Sequence, residues 1–162
     1  MPRSATGGGA AAAAASVDAV TRTPGAHVQV TFARPEHPIA YGYPMHTHVF
    51  RQNFPLYAVP RRYLRMAYCT SCLDGPEDPS GIVLRWGDDR GGPMLVSGQV
   101  WGEAGLAGRP AILDMPAGRG HLVAFNFNPL HRDLNRGDQR MLWNALINWQ
   151  AILQLPIGSS TP

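Results

Sequence analysis

The chain has 162 residues, 44% of them hydrophobic, a length and composition that fit one domain with one core. Its 14 basic residues are all arginine, set against 11 acidic ones. The net +3 is scattered, with Arg61 and Arg62 the one adjacent pair, so no basic stripe argues for nucleic acid.

The missing lysine excludes a Schiff-base, P-loop or general-base lysine in this chain. Eighteen glycines and 15 prolines make the chain loop-rich without reaching a low-complexity composition. The longest apolar run, Gly7–Ala15, is made of small residues and is too short and weakly hydrophobic to span a bilayer. Arg3 followed by Ala10–Ala15 imitates a secretory leader poorly, because alanine is only marginally apolar.

In chain order, residues 1–24 lack aliphatic periodicity and read as a disordered Gly/Ala-rich arm, residues 25–158 as a single domain and 159–162 as a tail. His27–Phe32 alternates and is β-branched, which predicts a strand that Arg34-Pro35 stops. His37–Pro44 is an aromatic loop, Thr47–Arg51 a short apolar run, and Phe54–Pro60 an extended proline-paced stretch. Tyr63–Tyr68 and Ile82–Trp86 read as strands on either side of the turn formers Asp74–Pro79. Met94–Val100 reads as another, and Trp101–Gly108 as a loop or single turn.

Two further β-type runs, Ala111–Met115 and His121–Phe127, flank the turn-forming Pro116–Gly120, and one long amphipathic segment follows. Leu142, Ala145, Leu146, Trp149, Ile152 and Leu153 recur at three- and four-residue spacing, which predicts one helix with that face on the sheet and Trp149 in the core. Trp143, Asn144 and Asn148 are read as packing and hydrogen bonding to neighbouring loops. Asn135 three residues before Asp138 predicts a relative of the capping box at the helix start, and Pro156 and Gly158 end the helix. The fold class expected is α/β, with a mixed sheet of about six or seven strands, a terminal hairpin and a long C-terminal helix.

The chemistry-bearing residues are few. Cys69-Thr-Ser-Cys72 has redox spacing, but Asp74-Gly75-Pro76 forbids the helix that would lower a thiol pKa. A structural disulfide or two partly buried thiols is the plainer reading; a Cys₂His₂ zinc site with His46 and His48 is the alternative, with no other metal or cofactor expected. His131, Arg132 and Asp133 lie in the strand-to-helix loop, where α/β sheets place ligands, although the same residues can serve only to satisfy the helix start. With the loops around His37 and Glu103 they would form a small binding or hydrolytic site. Glu36, Glu77 and Glu103 fall on separate loops, with no spacing that pairs carboxylates. Tyr41, Tyr43, Phe50, Phe54 and Tyr57 form an aromatic cluster suited to a sugar or peptide platform or, preferably, to docking a partner domain.

Several stretches together resemble one family: HPIAYGYP, FPLYAVPRR, LRMAYCTSCLDGPED, IVLRWGD, LVSGQVWGE and GRPAILDMPAGRGHLVAFNFNPLHRDLNRGDQRMLWNALINW. From about Pro24 to Leu155 the chain is similar to the C-terminal region of large bacterial zinc-carboxypeptidase-like proteins, where a class I glutamine amidotransferase-like domain follows the peptidase domain. The resemblance implies part of a doubly wound α/β domain, export from the cell, and a peptidase domain as partner. It does not carry over catalysis. No His-x-x-Glu zinc motif occurs, and neither Cys69 nor Cys72 sits on a glycine-flanked nucleophile elbow. The reading that follows is a non-catalytic accessory domain.

Overall fold

Ala26, Val28, Val30 and Phe32 alternate along one strand, and burying that apolar row against matching rows on its neighbours organises the protein. A computed structural model describes residues 21–60, 77–117 and 119–155. The strand expected at Tyr63–Tyr68, both cysteines, most of the arm, Pro156, Gly158 and the tail lie outside the described residues.

Among the described residues six strands form the sheet: β1 (Arg22–Phe32), β2 (His46–Arg51), β3 (Ile82–Trp86), β4 (Leu95–Trp101), β5 (Pro110–Ala117) and β6 (Gly120–Phe125). Their order is β2-β1-β3-β5-β6, and β4 pairs with the first part of β1, which curls the sheet around that strand. Val28 faces Val49, Val30 faces Trp86 and Phe32 faces Leu84, so the core is built from cross-strand pairs on one face. Ile39, Leu106, Phe127, Met141 and Ile152 close it.

Every pairing among the described residues is antiparallel, which corrects the mixed sheet expected from the sequence. A parallel neighbour needs a crossover of a dozen residues or more, usually a helix. The links at residues 87–94 and 102–109 are too short for one, and the second holds only the single turn α1 (Glu103–Leu106). The β5–β6 hairpin is also tighter than expected, its ladder running out to Ala117 opposite Gly120.

Order begins earlier than expected as well. Thr23 is fully buried, donates to the Gln52 carbonyl (2.9 Å) and accepts from the Arg51 guanidinium, so residues 22–24 belong to β1 and not to an arm. Arg51 lies beneath the sheet with its guanidinium 5.4 Å from the centre of the Trp86 ring, and burial lowers its pKa to about 10.

The C-terminal segment is two helices, α2 (Arg136–Ile147) and α3 (Trp149–Leu153), and not one. The break falls at Asn148, whose side chain and backbone N–H both donate to the Asn144 carbonyl (2.9 and 3.1 Å). Its buried face is only in part the expected one: Ile152 is in the core and Ala145 packs against it, but Trp149 is not buried. Asp138, Met141, Asn144 and Ile152 turn inward, whereas Trp149 is 55% exposed, Leu146 56% and Ile147 74%. The inward polar side chains are all matched: Asn144 Nδ2 donates to the carbonyls of Ile39 (3.0 Å) and Tyr41 (2.8 Å), and Asp138 accepts the Phe50 N–H (2.9 Å). Asn135 makes no side-chain cap. Its Oδ1 lies 3.4 Å from His27 Nε2, so the capping-box reading of Asn135 and Asp138 gives way to tertiary contacts. None of the described helices is long and apolar enough to cross a membrane.

Candidate functional site

The residues singled out from sequence fall into three neighbourhoods. His37 is buried at the start of the turn Pro38–Ala40, where its Nδ1 accepts the Ile39 N–H (3.2 Å). That acceptor role puts the ring proton on Nε2, which donates to Asp114 Oδ2 (3.1 Å). On the other carboxylate oxygen, His121 Nδ1 donates at 2.8 Å, and the Arg34 guanidinium stands 4.0 Å from Asp114. Burial pushes the Asp114 carboxyl up, but the hydrogen bonds from both histidines outweigh it and hold the group below the ordinary carboxylate range. A carboxylate fixing His121 by Nδ1 leaves Nε2 oriented as a general base would be. No nucleophilic side chain is hydrogen-bonded to that nitrogen among the described residues.

Asp114 and His121 were not singled out from sequence. They stand seven positions apart on either side of a hairpin, and only its register places them on one side of the sheet. The one signal was an acid inside the apolar run Ala111–Met115.

The second neighbourhood is a cleft of about 670 Å³ between β1, β3 and α1, to which Glu103 contributes. Asp88 and Asp89 lie on its rim. His46 Nε2 is 2.6 Å from Asp89 Oδ1 and 3.8 Å from Asp88 Oδ1, and one ligand atom from each of the three lies within 4.8 Å of the others. One histidine and two carboxylates suit a divalent cation, but Asp88 is already held by Arg90, whose side-chain hydrogen bonds lower its pKa to about 2. His48, two residues along β2 from His46, is instead exposed and packs edge-on against His27 (ring centres 5.7 Å apart). Cys69 and Cys72 lie outside the described residues.

The third is the His131–Asp133 turn. His131 stacks on Phe50 (4.8 Å, planes 25° apart), and Asp133 accepts from Gln139 Nε2 at 2.6 Å. Arg132 and Asp133 have φ of 51° and 55°, a left-handed conformation that costs a non-glycine residue of order 1 kcal/mol or more. His37, Glu103 and the His131 turn thus make their contacts in three separate places.

Of the aromatic residues expected to form a docking surface, Tyr41 and Phe54 are exposed. Tyr43, Phe50 and Tyr57 are half-buried: Tyr43 donates to the Gly137 carbonyl, Phe50 carries His131, and Tyr57 donates to the Phe125 carbonyl (3.0 Å). Five further exposed large apolar residues, Trp143, Leu146, Ile147, Trp149 and Leu153, lie elsewhere, on α2 and α3. Comparison with protein-family models, with curated proteins and with solved structures finds no match to this chain.

Proposed function

We propose that this chain is a non-catalytic interaction domain that docks on a partner protein through the outward face of α2 and α3. What supports the reading is one observation: this helical segment turns its hydrogen-bonding residues inward and leaves Trp143, Leu146, Ile147, Trp149 and Leu153 in solvent. Scattered exposed apolar residues are ordinary; two exposed tryptophans and three exposed aliphatics on adjoining helical turns are a concentration of the kind that interfaces bury. Tryptophan is also prominent among residues that dominate binding energy. The resemblance to the C-terminal region of zinc-carboxypeptidase-like proteins supports a peptidase domain as the partner, and the missing His-x-x-Glu supports the absence of peptidase chemistry here.

The test supplies such a peptidase domain in trans. Expected are a stable complex with the wild-type chain, its loss in Trp143→Asp/Ile147→Asp, and no zinc-dependent release of a C-terminal residue from chromogenic peptides by this chain alone. A complex indifferent to the double substitution would sink the docking reading, and turnover abolished by a chelator and restored by zinc would sink the non-catalytic one.

The left-handed Arg132 and Asp133 favour a second reading, a small-ligand or hydrolytic site on the His131 turn, since strain of this kind collects at functional loops. Arg132→Gly separates the two: a gain in stability without loss of partner binding fits docking, and loss of a ligand-binding signal fits the second reading.

A further inference from the structure

The cleft between β1, β3 and α1 holds two unspent charges of opposite sign. Arg85 stands beside Thr31 in the sheet register, and Thr31 stands in turn beside His46, so the three form a row across β3, β1 and β2 on one sheet face. Thr31 donates its hydroxyl to the Gly87 carbonyl (2.8 Å), and His46 is occupied by Asp89. Arg85 Nε is buried without a hydrogen-bond partner, and among the described residues no carboxylate pairs with its guanidinium. Arg85 lines the cleft, and its planar fork, with no ion pair among the described residues, is free there for an acceptor and best fits a carboxylate.

In the same lining Glu103 is an exposed carboxylate with no partner among the described residues, on the short turn α1. Asp88 and Asp89, the other acids of the lining, are spent on Arg90 and His46. Phe32, Met45, Met94 and Ala107 give the same lining an apolar part. Glu103, the one unpaired acid of the lining, repels a simple dianion, and a cation without an acid group leaves Arg85 unanswered. The cleft volume lies within the range of small-ligand sites.

We infer that this cleft binds a small zwitterion, an apolar amino acid or short peptide, with its carboxylate on Arg85 and its ammonium on Glu103. The site shares no residue with the outward face of α2 and α3, so it stands or falls separately from the docking reading.

Calorimetric titration of the whole chain tests it, with L-leucine and dileucine as ligands and N-acetyl-L-leucine and leucine amide as controls. At least one of the two zwitterions is expected to bind, and capping either end is expected to weaken that binding by about tenfold or more. Leucine against dileucine distinguishes a free amino acid from a peptide end. Arg85→Gln is expected to abolish binding. Glu103→Gln, an exposed position whose change leaves the core untouched, is expected to remove the preference for the free ammonium and leave the melting temperature unaltered. Failure of both zwitterions to bind at about 10 mM, equal binding of the capped controls, or unchanged binding in Glu103→Gln would each overturn the assignment.

Discussion

Asp138 is buried on α2 with one backbone N–H as its partner, and burial raises its pKa to about 6 against the opposing pull of the Phe50 N–H and the His27 charge. A carboxyl whose folded pKa lies above its unfolded value near 4 adds stability in acid that is lost as the pH climbs to about 6. Asp138→Asn keeps the shape and an acceptor for Phe50 without the charge. Its melting temperature should match wild type near pH 4 and exceed it above pH 6, by an amount worth of order 1 kcal/mol. Asp114 has the opposite sign. Its depressed pKa gives stability that is present above about pH 4 and drains away as the pH falls through the lower folded value. Asp114→Asn leaves one of His37 and His121 on a weaker carbonyl acceptor and sets the other against an amide NH₂ donor. It should cost about 2–4 kcal/mol at pH 7, with the deficit shrinking in acid denaturation curves. In the sequence Asp114 showed only as an acid inside an apolar run and Asp138 only as a helix-start acid, because the environment of each comes from residues between 7 and 88 positions away.

At the scale of elements, the strands were the legible part. His27–Phe32 declares itself by β-branched alternation and Ile82–Trp86 by a short apolar run, and both are strands, although β1 starts five residues sooner because Thr23 and Arg51 anchor it. The helix was legible in existence and in part misread in orientation. Apolar spacing shows that a helix has two faces, but which one turns inward depends on what waits there. Here the Ile39 and Tyr41 carbonyls and the Phe50 N–H meet Asn144 and Asp138. Met141→Ala should therefore cost about 2–5 kcal/mol in urea titration, and Trp149→Ala less than about 1 kcal/mol. The reverse ranking would mean that the face assignment is wrong. A second test concerns the strand pair β1–β4. Gly98 has φ +89°, and a Cβ there would collide with the Gly25 carbonyl oxygen and stand 2.8 Å from the Ala26 Cα. Gly98→Ala should destabilise by roughly 2–4 kcal/mol, more than Gly108→Ala, whose neighbourhood is open although its φ is also positive.

For the molecule as a whole, the sequence revealed most of the described strands but not how they join, and it led to a mixed sheet, since register and strand order are settled by contacts far apart in the chain. The same limit hid both polar centres. The Asp114 cluster gathers residues from 37, 114 and 121, and the cleft gathers Arg85 and Glu103 from two elements with no shared motif. β1 is the seam on which this architecture depends, since it pairs with β2, β3 and β4, and Arg22 at its start meets Trp101. During synthesis the seam strand is complete long before its last partner exists. At ribosomal rates the residues from 33 to 94 take about 3–12 s to appear, and through that interval part of an apolar, β-branched strand has no neighbour to accept its backbone N–H groups. A chain halted at Gly92 should accordingly aggregate or require a chaperone to stay soluble, and the completed chain should refold on the slow, millisecond-to-second side of domains its size, as stopped-flow fluorescence of Trp86 would record.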